Sequence, residues 1–184
     1  EICACLVGSE MCIRDSTQVV RDSGMQLPEH TFYVDFIYAY QPFPWVKSML
    51  YMDIPFYHYF IGREGQSVQT DVMIRRVAQL RLVNQRMVEA TPEPGTVPDG
   101  LYRYMIHFLA IESSVTSVFL ILSKDKANYR LKDELWADID KASPAIGRDV
   151  RRKLVSRALN LRGSVGRWMI RRGYVVAEKV VGFN

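Results

Sequence analysis

Cysteine is scarce in this sequence, and its three copies, Cys3, Cys5 and Cys12, all precede Thr17. From Thr17 onward the residues therefore offer neither a disulfide framework nor a cysteine-based metal site. A chain without cysteine is typical of a reducing compartment, so we expect a cytoplasmic protein. A secretory signal peptide is not predicted, because residues 1–16 lack its basic and apolar segments.

The sequence of residues 1–16 also points to an origin different from that of the other residues. Back-translated in one reading frame, residues 5–16 (CLVGSEMCIRDS) reproduce a transposase-type sequencing adapter. We therefore predict that residues 1–16 are not native and that the protein's own sequence begins near Thr17, inside a longer gene. Without them the chain has 23 Lys+Arg against 17 Asp+Glu, since one basic and three acidic residues are lost, and its net charge is +6.

The sequence also lacks a long apolar run that is free of charged or titratable side chains. The segment Leu101–Leu122 approaches the length of a membrane span, but Arg103, His107 and Glu112 interrupt its first half. Each charged side chain at bilayer depth costs about 2.5–3.5 kcal/mol. We therefore predict a buried or interfacial helix here rather than a membrane span.

Strand composition marks the first part of the native sequence. His30–Tyr40 and Ile54–Ile61 are rich in aromatic and β-branched residues, which favours two strands. Apolar residues then recur at helical spacing from about Thr70. The proline-rich segment 91–100 is typical of a linker.

The last part of the sequence, residues 101–184, is predicted to be a mainly α-helical extension. Within it, Ser143 is expected to cap a helix that starts with Pro144, since both residues are favoured at these positions. The end of the chain, Gly173–Asn184, is interpreted as a short strand or an apolar extension.

Two segments carry a more specific pattern: Pro28–Asp35 reads PEHTFYVD, and Tyr57–Val68 reads YHYFIGREGQSV. Together with their surroundings they resemble the C-terminal part of a bacterial family-2 glycosyltransferase. The resemblance implies an α/β fragment, in which residues 17–90 supply the acceptor-side strands of a GT-A domain. The helical extension would follow this fragment.

The resemblance also implies an activity. Enzymes of this family transfer a sugar from a nucleotide-sugar donor to an acceptor hydroxyl, here expected on a cell-envelope polysaccharide or a lipid-linked glycan. A divalent metal, Mg²⁺ or Mn²⁺, is held by an Asp-x-Asp motif in the nucleotide-binding half. That half is predicted to precede these residues, so we expect no metal ligand and no activity in the fragment alone.

Asp35 occupies the position that the resemblance assigns to the catalytic base. A carboxylate there would remove the proton of the acceptor hydroxyl as the new bond forms. Two neighbours depart from the family pattern: Val34 stands where Glu is usual, and Phe36 where a polar residue is more typical. The alternative is that Asp35 merely ends a strand and caps the next turn.

Arg63, Gln66 and Ser67 are the predicted donor- or acceptor-binding residues, again by resemblance. A guanidinium matches the geometry of phosphate oxygens, and the neighbouring glycines let backbone N–H groups approach closely. The alternative is a solvated hairpin turn. The Asp138-x-Asp140 pair is interpreted as a solvated helix face rather than a metal site, and His58 as a packed strand residue.

Basic residues dominate the C-terminal part of the chain. Nine of them fall within Arg148–Arg172, against the single acid Asp149. Residues 146–172 therefore predict either a membrane-surface segment at the inner face of the membrane or a surface helix paired with acidic residues. A rival function is a small basic helical module that binds nucleic acid or protein without catalysis. Since no nucleic-acid-binding motif is present, we do not expect a nucleic-acid partner.

Overall fold

A computed structural model describes residues 16–50, 67, 69–161 and 163–181. All regular secondary structure in this part of the chain is helical. The helices are α1 (Thr17–Asp22), α2 (Val34–Tyr38), a 3₁₀ turn (Phe43–Trp45), α3 (Thr70–Arg75), α4 (Val77–Glu89), α5 (Asp99–Leu122), α6 (Lys126–Ala142), α7 (Pro144–Arg152), α8 (Leu154–Leu159) and α9 (Gly163–Val181). The predicted α/β fragment is therefore wrong for the described residues, which contain no strand.

The predicted strand at His30–Tyr40 is instead a turn followed by α2. Tyr33, Ile37 and Tyr40 are all buried, and their spacing of four and then three residues is helical. Aromatic and β-branched composition suggested a strand, but the face that packs against the protein follows the helical period. The second predicted strand, Ile54–Ile61, lies outside the described residues.

Helix α5 forms the centre of the structure. It has 24 residues and packs against α3, α4, α6, α7, α8 and α9. By length and composition alone it could cross a membrane, yet 78% of its most apolar window is buried inside the protein. A helix that is surrounded by other helices is apolar over most of its surface, as a membrane helix is, so composition alone does not separate the two.

The helical extension begins slightly earlier than the sequence predicted. Residues 90–98 connect α4 to α5, so Asp99 and Gly100 of the predicted linker 91–100 already belong to α5. The predicted division at Ser143–Pro144 is present, since α6 ends at Ala142 and α7 begins at Pro144. The chain then bends at Lys153, where backbone dihedrals are extended, so α7 and α8 are separate helices. Of the two alternatives for Gly173–Asn184, the short strand is wrong for the described residues, because α9 continues as a helix to Val181.

The start of α7 shows a helix cap of the expected kind. Ser143 has an extended backbone, and its hydroxyl accepts a hydrogen bond from the Ile146 amide at 3.4 Å. The same hydroxyl donates to a Glu93 carboxylate oxygen at 2.9 Å. Ser143 itself is almost fully buried. One side chain therefore caps α7 and joins it to the linker.

The cap makes a stability prediction. Replacing Ser143 with Ala removes both hydrogen bonds and should lower the free energy of unfolding by about 1–2 kcal/mol. Urea denaturation followed by circular dichroism measures this change. Ser48→Ala, at an exposed loop serine, is the matched control. Equal stability of the two variants would contradict the capping role.

Candidate functional site

The candidate site is built around Tyr33, which lies just before α2. Its backbone is left-handed, with φ 68°, a conformation that is costly for a residue with a bulky side chain. The Tyr33 hydroxyl donates a hydrogen bond to the Ser67 carbonyl at 2.8 Å. Since the two residues are 34 positions apart, this bond joins distant parts of the chain.

The junction between α3 and α4 holds the Tyr33 segment from the other side. The guanidinium carbon of Arg76 lies 3.5 Å from the centre of the Phe32 ring, a cation–π contact. The Phe32 amide donates to the Gln79 side-chain oxygen at 2.9 Å. Burial raises the pKa of the Tyr33 hydroxyl, whereas the charge and hydrogen bonding of Arg76 pull this pKa down.

Two carboxyl groups interact electrostatically with the Tyr33 hydroxyl, one at the surface and one inside the protein. Asp35 is exposed in the first turn of α2. Glu112 lies in the middle of α5 and is 1% exposed, with a hydrogen bond from the Thr116 hydroxyl at 3.3 Å. We name the group formed by Tyr33, Asp35, Ser67, Arg76 and Glu112 the Tyr33 cluster.

Burial gives the two carboxyl groups different environments and shifts the pKa of the inner one. Loss of hydration raises the pKa of Glu112 to about 8, the Thr116 hydrogen bond opposes the shift, and the charge of Asp35 adds to it. Glu112 is therefore largely protonated at neutral pH. The cluster thus combines an exposed carboxyl group, that of Asp35, with a buried one that is neutral at this pH.

Apart from the Tyr33 cluster, a cavity of about 460 Å³ lies between α6, α7 and α9. Its lining includes Lys132, Asp140, Arg151, Asn160 and Arg167. Arg151 holds Asp140 through two hydrogen bonds of 3.0 and 2.6 Å, and the buried Lys132 ammonium donates to Asn160 at 2.7 Å. These bonds join α6 to α7 and to the turn before α9.

The predicted site residues fall into two groups. Asp35 lies two residues after Tyr33, whose hydroxyl donates to the Ser67 carbonyl, so Ser67 takes part through its backbone. Arg63 and Gln66 lie outside the described residues, so their predicted roles stay predictions, as does the packing of His58.

The Asp-x-Asp pair lies on α6, as the sequence predicted. Asp138 accepts from Arg81 at 3.3 Å, and Asp140 is paired with Arg151. Within the described residues, no group of three or more His, Cys, Asp or Glu side chains is placed to hold a metal ion.

Sequence reasoning missed two members of the cluster, Glu112 and Arg76. Glu112 was noticed only as a charge that argues against a membrane span. Its signal was an acid flanked by small hydroxyl residues, Ser113 and Ser114, inside an apolar helix. Arg76 carries no comparable signal, because several arginines occur at helical spacing in the same segment.

In comparisons with known proteins, the sequence matches no family profile, no curated protein and no solved structure.

The raised pKa of Glu112 predicts that the stability of the protein depends on pH. Its folded-state pKa of about 8 exceeds the ordinary value of 4.5, so its stabilising effect is complete below pH 4.5 and is lost as the pH rises toward 8. Glu112→Gln keeps a neutral side chain at all pH values. The variant should therefore be more stable than the wild type at pH 8.5, by a few kcal/mol, with a difference that shrinks toward pH 5.

Thermal unfolding followed by circular dichroism between pH 5 and 8.5 measures this difference. The matched control is Glu89→Gln, at an exposed acid of α4. If Glu112→Gln and the wild type lose stability equally as the pH rises, Glu112 is not the group that titrates.

Proposed function

We propose that residues 17–184 belong to the C-terminal portion of a glycosyltransferase. The enzyme would move a sugar from a nucleotide-sugar donor to a hydroxyl of a cell-envelope polysaccharide or lipid-linked glycan, on the cytoplasmic side of the membrane. The proposal rests on the resemblance of Pro28–Asp35 and Tyr57–Val68 to family-2 glycosyltransferases. It does not need the predicted strands, because the proposed base lies on α2.

One observation carries the proposal furthest. Tyr33, in the first of the two segments that bear the resemblance, donates its hydroxyl to the carbonyl of Ser67, the described residue of the second. Asp35 lies two residues from this bond, on the exposed side of α2. A carboxylate that must reach an incoming acceptor has to be accessible, and the backbone that carries it has to be held rigidly in place. The Tyr33 segment, which contacts Ser67 and Arg76, supplies this rigid support for Asp35.

The proposed role of Asp35 is that of general base. The acceptor oxygen forms a bond to the anomeric carbon of the donor sugar while the bond from that carbon to the diphosphate oxygen breaks. The electron pair of the broken bond leaves with the nucleoside diphosphate, and Asp35 takes the acceptor proton. A positioned base of this kind contributes about 10²–10⁴-fold to a rate.

Glu112 supports this role by staying neutral. A general base must be unprotonated before it can take a proton, and a second ionised carboxylate nearby would oppose the negative charge of this form. Burial raises the pKa of Glu112 to about 8, so Glu112 is mostly neutral near pH 7 and does not add such a charge. Two carboxyl groups with different environments are a familiar arrangement in acid–base catalysis.

A basic helical module without catalysis is the second candidate. The helical fold of the described residues favours it, as does the exposure of several large apolar side chains, among them Leu50, Leu154 and Val165. Such a module would bind a protein partner through these side chains and would not depend on Asp35.

The test requires the full-length gene product. Long-read sequencing of the source DNA across Ser16–Thr17 should show an in-frame upstream region encoding a nucleotide-binding half with an Asp-x-Asp motif. A natural reading frame that continues through CLVGSEMCIRDS would contradict the predicted origin of residues 1–16 and remove the expected upstream half.

In the full-length enzyme, Asp35→Asn should lower kcat by about 10²–10⁴-fold and change the donor KM little, since the base acts on the acceptor. Release of nucleoside diphosphate in the presence of acceptor measures the rate. Asp99→Asn, at another exposed carboxylate near a helix start, is the matched control. Retained activity of Asp35→Asn would reject the proposed base and favour the non-catalytic module.

A further inference from the structure

Helix α9 is apolar on two sides, although only one of them faces the protein. On the inner side Ile170 is buried against Val118 and Ile121, and the Tyr174 ring lies 5.9 Å from that of Phe119. On the other side Val165, Trp168, Met169 and Val176 are each at least half exposed. Together with the exposed Arg172, these four residues are called the outer face of α9.

The outer face is continuous. At 100° per residue, its five members fall within an arc of about 100° on the helix surface. Ile170 projects from a different side of the same helix. A surface helix of a globular protein ordinarily has one apolar stripe, directed at the core. A second stripe directed at solvent therefore needs another apolar medium to cover it.

The charge of α9 indicates which medium this is. Its sequence contains four basic residues against the single acid Glu178. Arg172 belongs to the outer face, whereas Arg171 donates to the Ile121 carbonyl and the Tyr129 hydroxyl, and Arg167 lies over the Tyr129 ring. Arg172 lies inside the apolar arc, with its guanidinium 5.9 Å from the centre of the Trp168 ring. In a dry protein interface this cation would need a carboxylate partner. At a membrane surface its long stem can lie among apolar groups while the guanidinium reaches lipid phosphates.

We propose that the outer face of α9 docks on an anionic phospholipid membrane, with the helix axis in the plane of the interface. Trp168 and Met169 enter the boundary between headgroups and acyl chains, and Arg172 pairs with lipid phosphate. This partner goes beyond the proposed sugar transfer and does not depend on it.

The outer face covers only part of the membrane-surface segment predicted over residues 146–172. At the start of that segment the side chains of Ile146 and Val150 are buried in the core. Arg151 is engaged with Asp140, as the surface-helix alternative expected. The exposed apolar arc lies farther along the chain, beginning at Val165 and extending beyond residue 172.

The experiment uses the whole chain and vesicles of phosphatidylcholine alone or mixed with phosphatidylglycerol. Co-sedimentation gives the partition coefficient, and quenching by brominated lipid reports whether a tryptophan enters the bilayer. We expect binding to the anionic vesicles that weakens as salt is added. Trp168→Ala and Arg172→Glu should each lower the partition coefficient by about tenfold.

Two matched controls separate this face from general effects. Trp45→Ala removes another tryptophan, 43% exposed in the 3₁₀ turn, and should keep both binding and quenching. Arg130→Glu changes the net charge as Arg172→Glu does, but at an exposed position on α6. Circular dichroism confirms that each variant is folded before it is compared.

Several results would overturn the proposal. One is an absence of binding to anionic vesicles at low salt, and another is an equal loss of binding in the controls. A third is a dimer in gel filtration that Trp168→Ala converts to monomer while vesicle binding is absent, since the face would then join two copies of the chain. None of these measurements involves a sugar donor, so the outcome is separate from that of the transferase proposal.

Discussion

The structure depends on one constraint: α5 carries polar side chains into the centre of the protein, where each must find a hydrogen-bond partner. Asn84 of α4 donates to the Ser113 hydroxyl at 2.8 Å, and the Trp136 indole of α6 donates to the Ser117 hydroxyl at 2.9 Å. Ser114 and Ser117 also bond to carbonyl groups one turn earlier on α5. These bonds fix how α4 and α6 sit on α5, since a shift of one residue would leave buried polar groups unsatisfied.

The same helix anchors the segment that carries the proposed base. The Tyr40 hydroxyl lies 2.8 Å from the Thr91 hydroxyl and bonds the Met105 carbonyl at 3.2 Å. Phe36 and Tyr40 pack against Phe108, with ring centres 6.3 and 5.5 Å apart. Because α2 is held on α5 by these contacts, Asp35 is placed near Glu112, whose burial follows from the central position of α5. One helix, α5, therefore both organises the fold and positions the proposed base.

Particular elements show what could be predicted and what could not. The cap at Ser143 followed from local chemistry, because a serine hydroxyl and the first amides of a helix are neighbours in sequence. The predicted strand at His30–Tyr40 was wrong, because aromatic composition favours strands whereas the burial of Ile37 and Tyr40 depends on where α5 lies. Asp35 could be named from its motif, but Glu112 could not. Its unusual pKa arises from burial, which is a property of the packed helices.

The sequence by itself determined the long apolar α5, the helical character of the extension and the positions of the linker and the α7 cap. These features depend on neighbours within a few residues, which sequence patterns report directly. Only the tertiary structure decided that α2 is a helix, that Tyr33 and Ser67 meet, and that α9 has an apolar face turned away from the core. Each of these depends on contacts between residues far apart in the chain, and hydrophobic burial rewards such contacts only after the helices have packed.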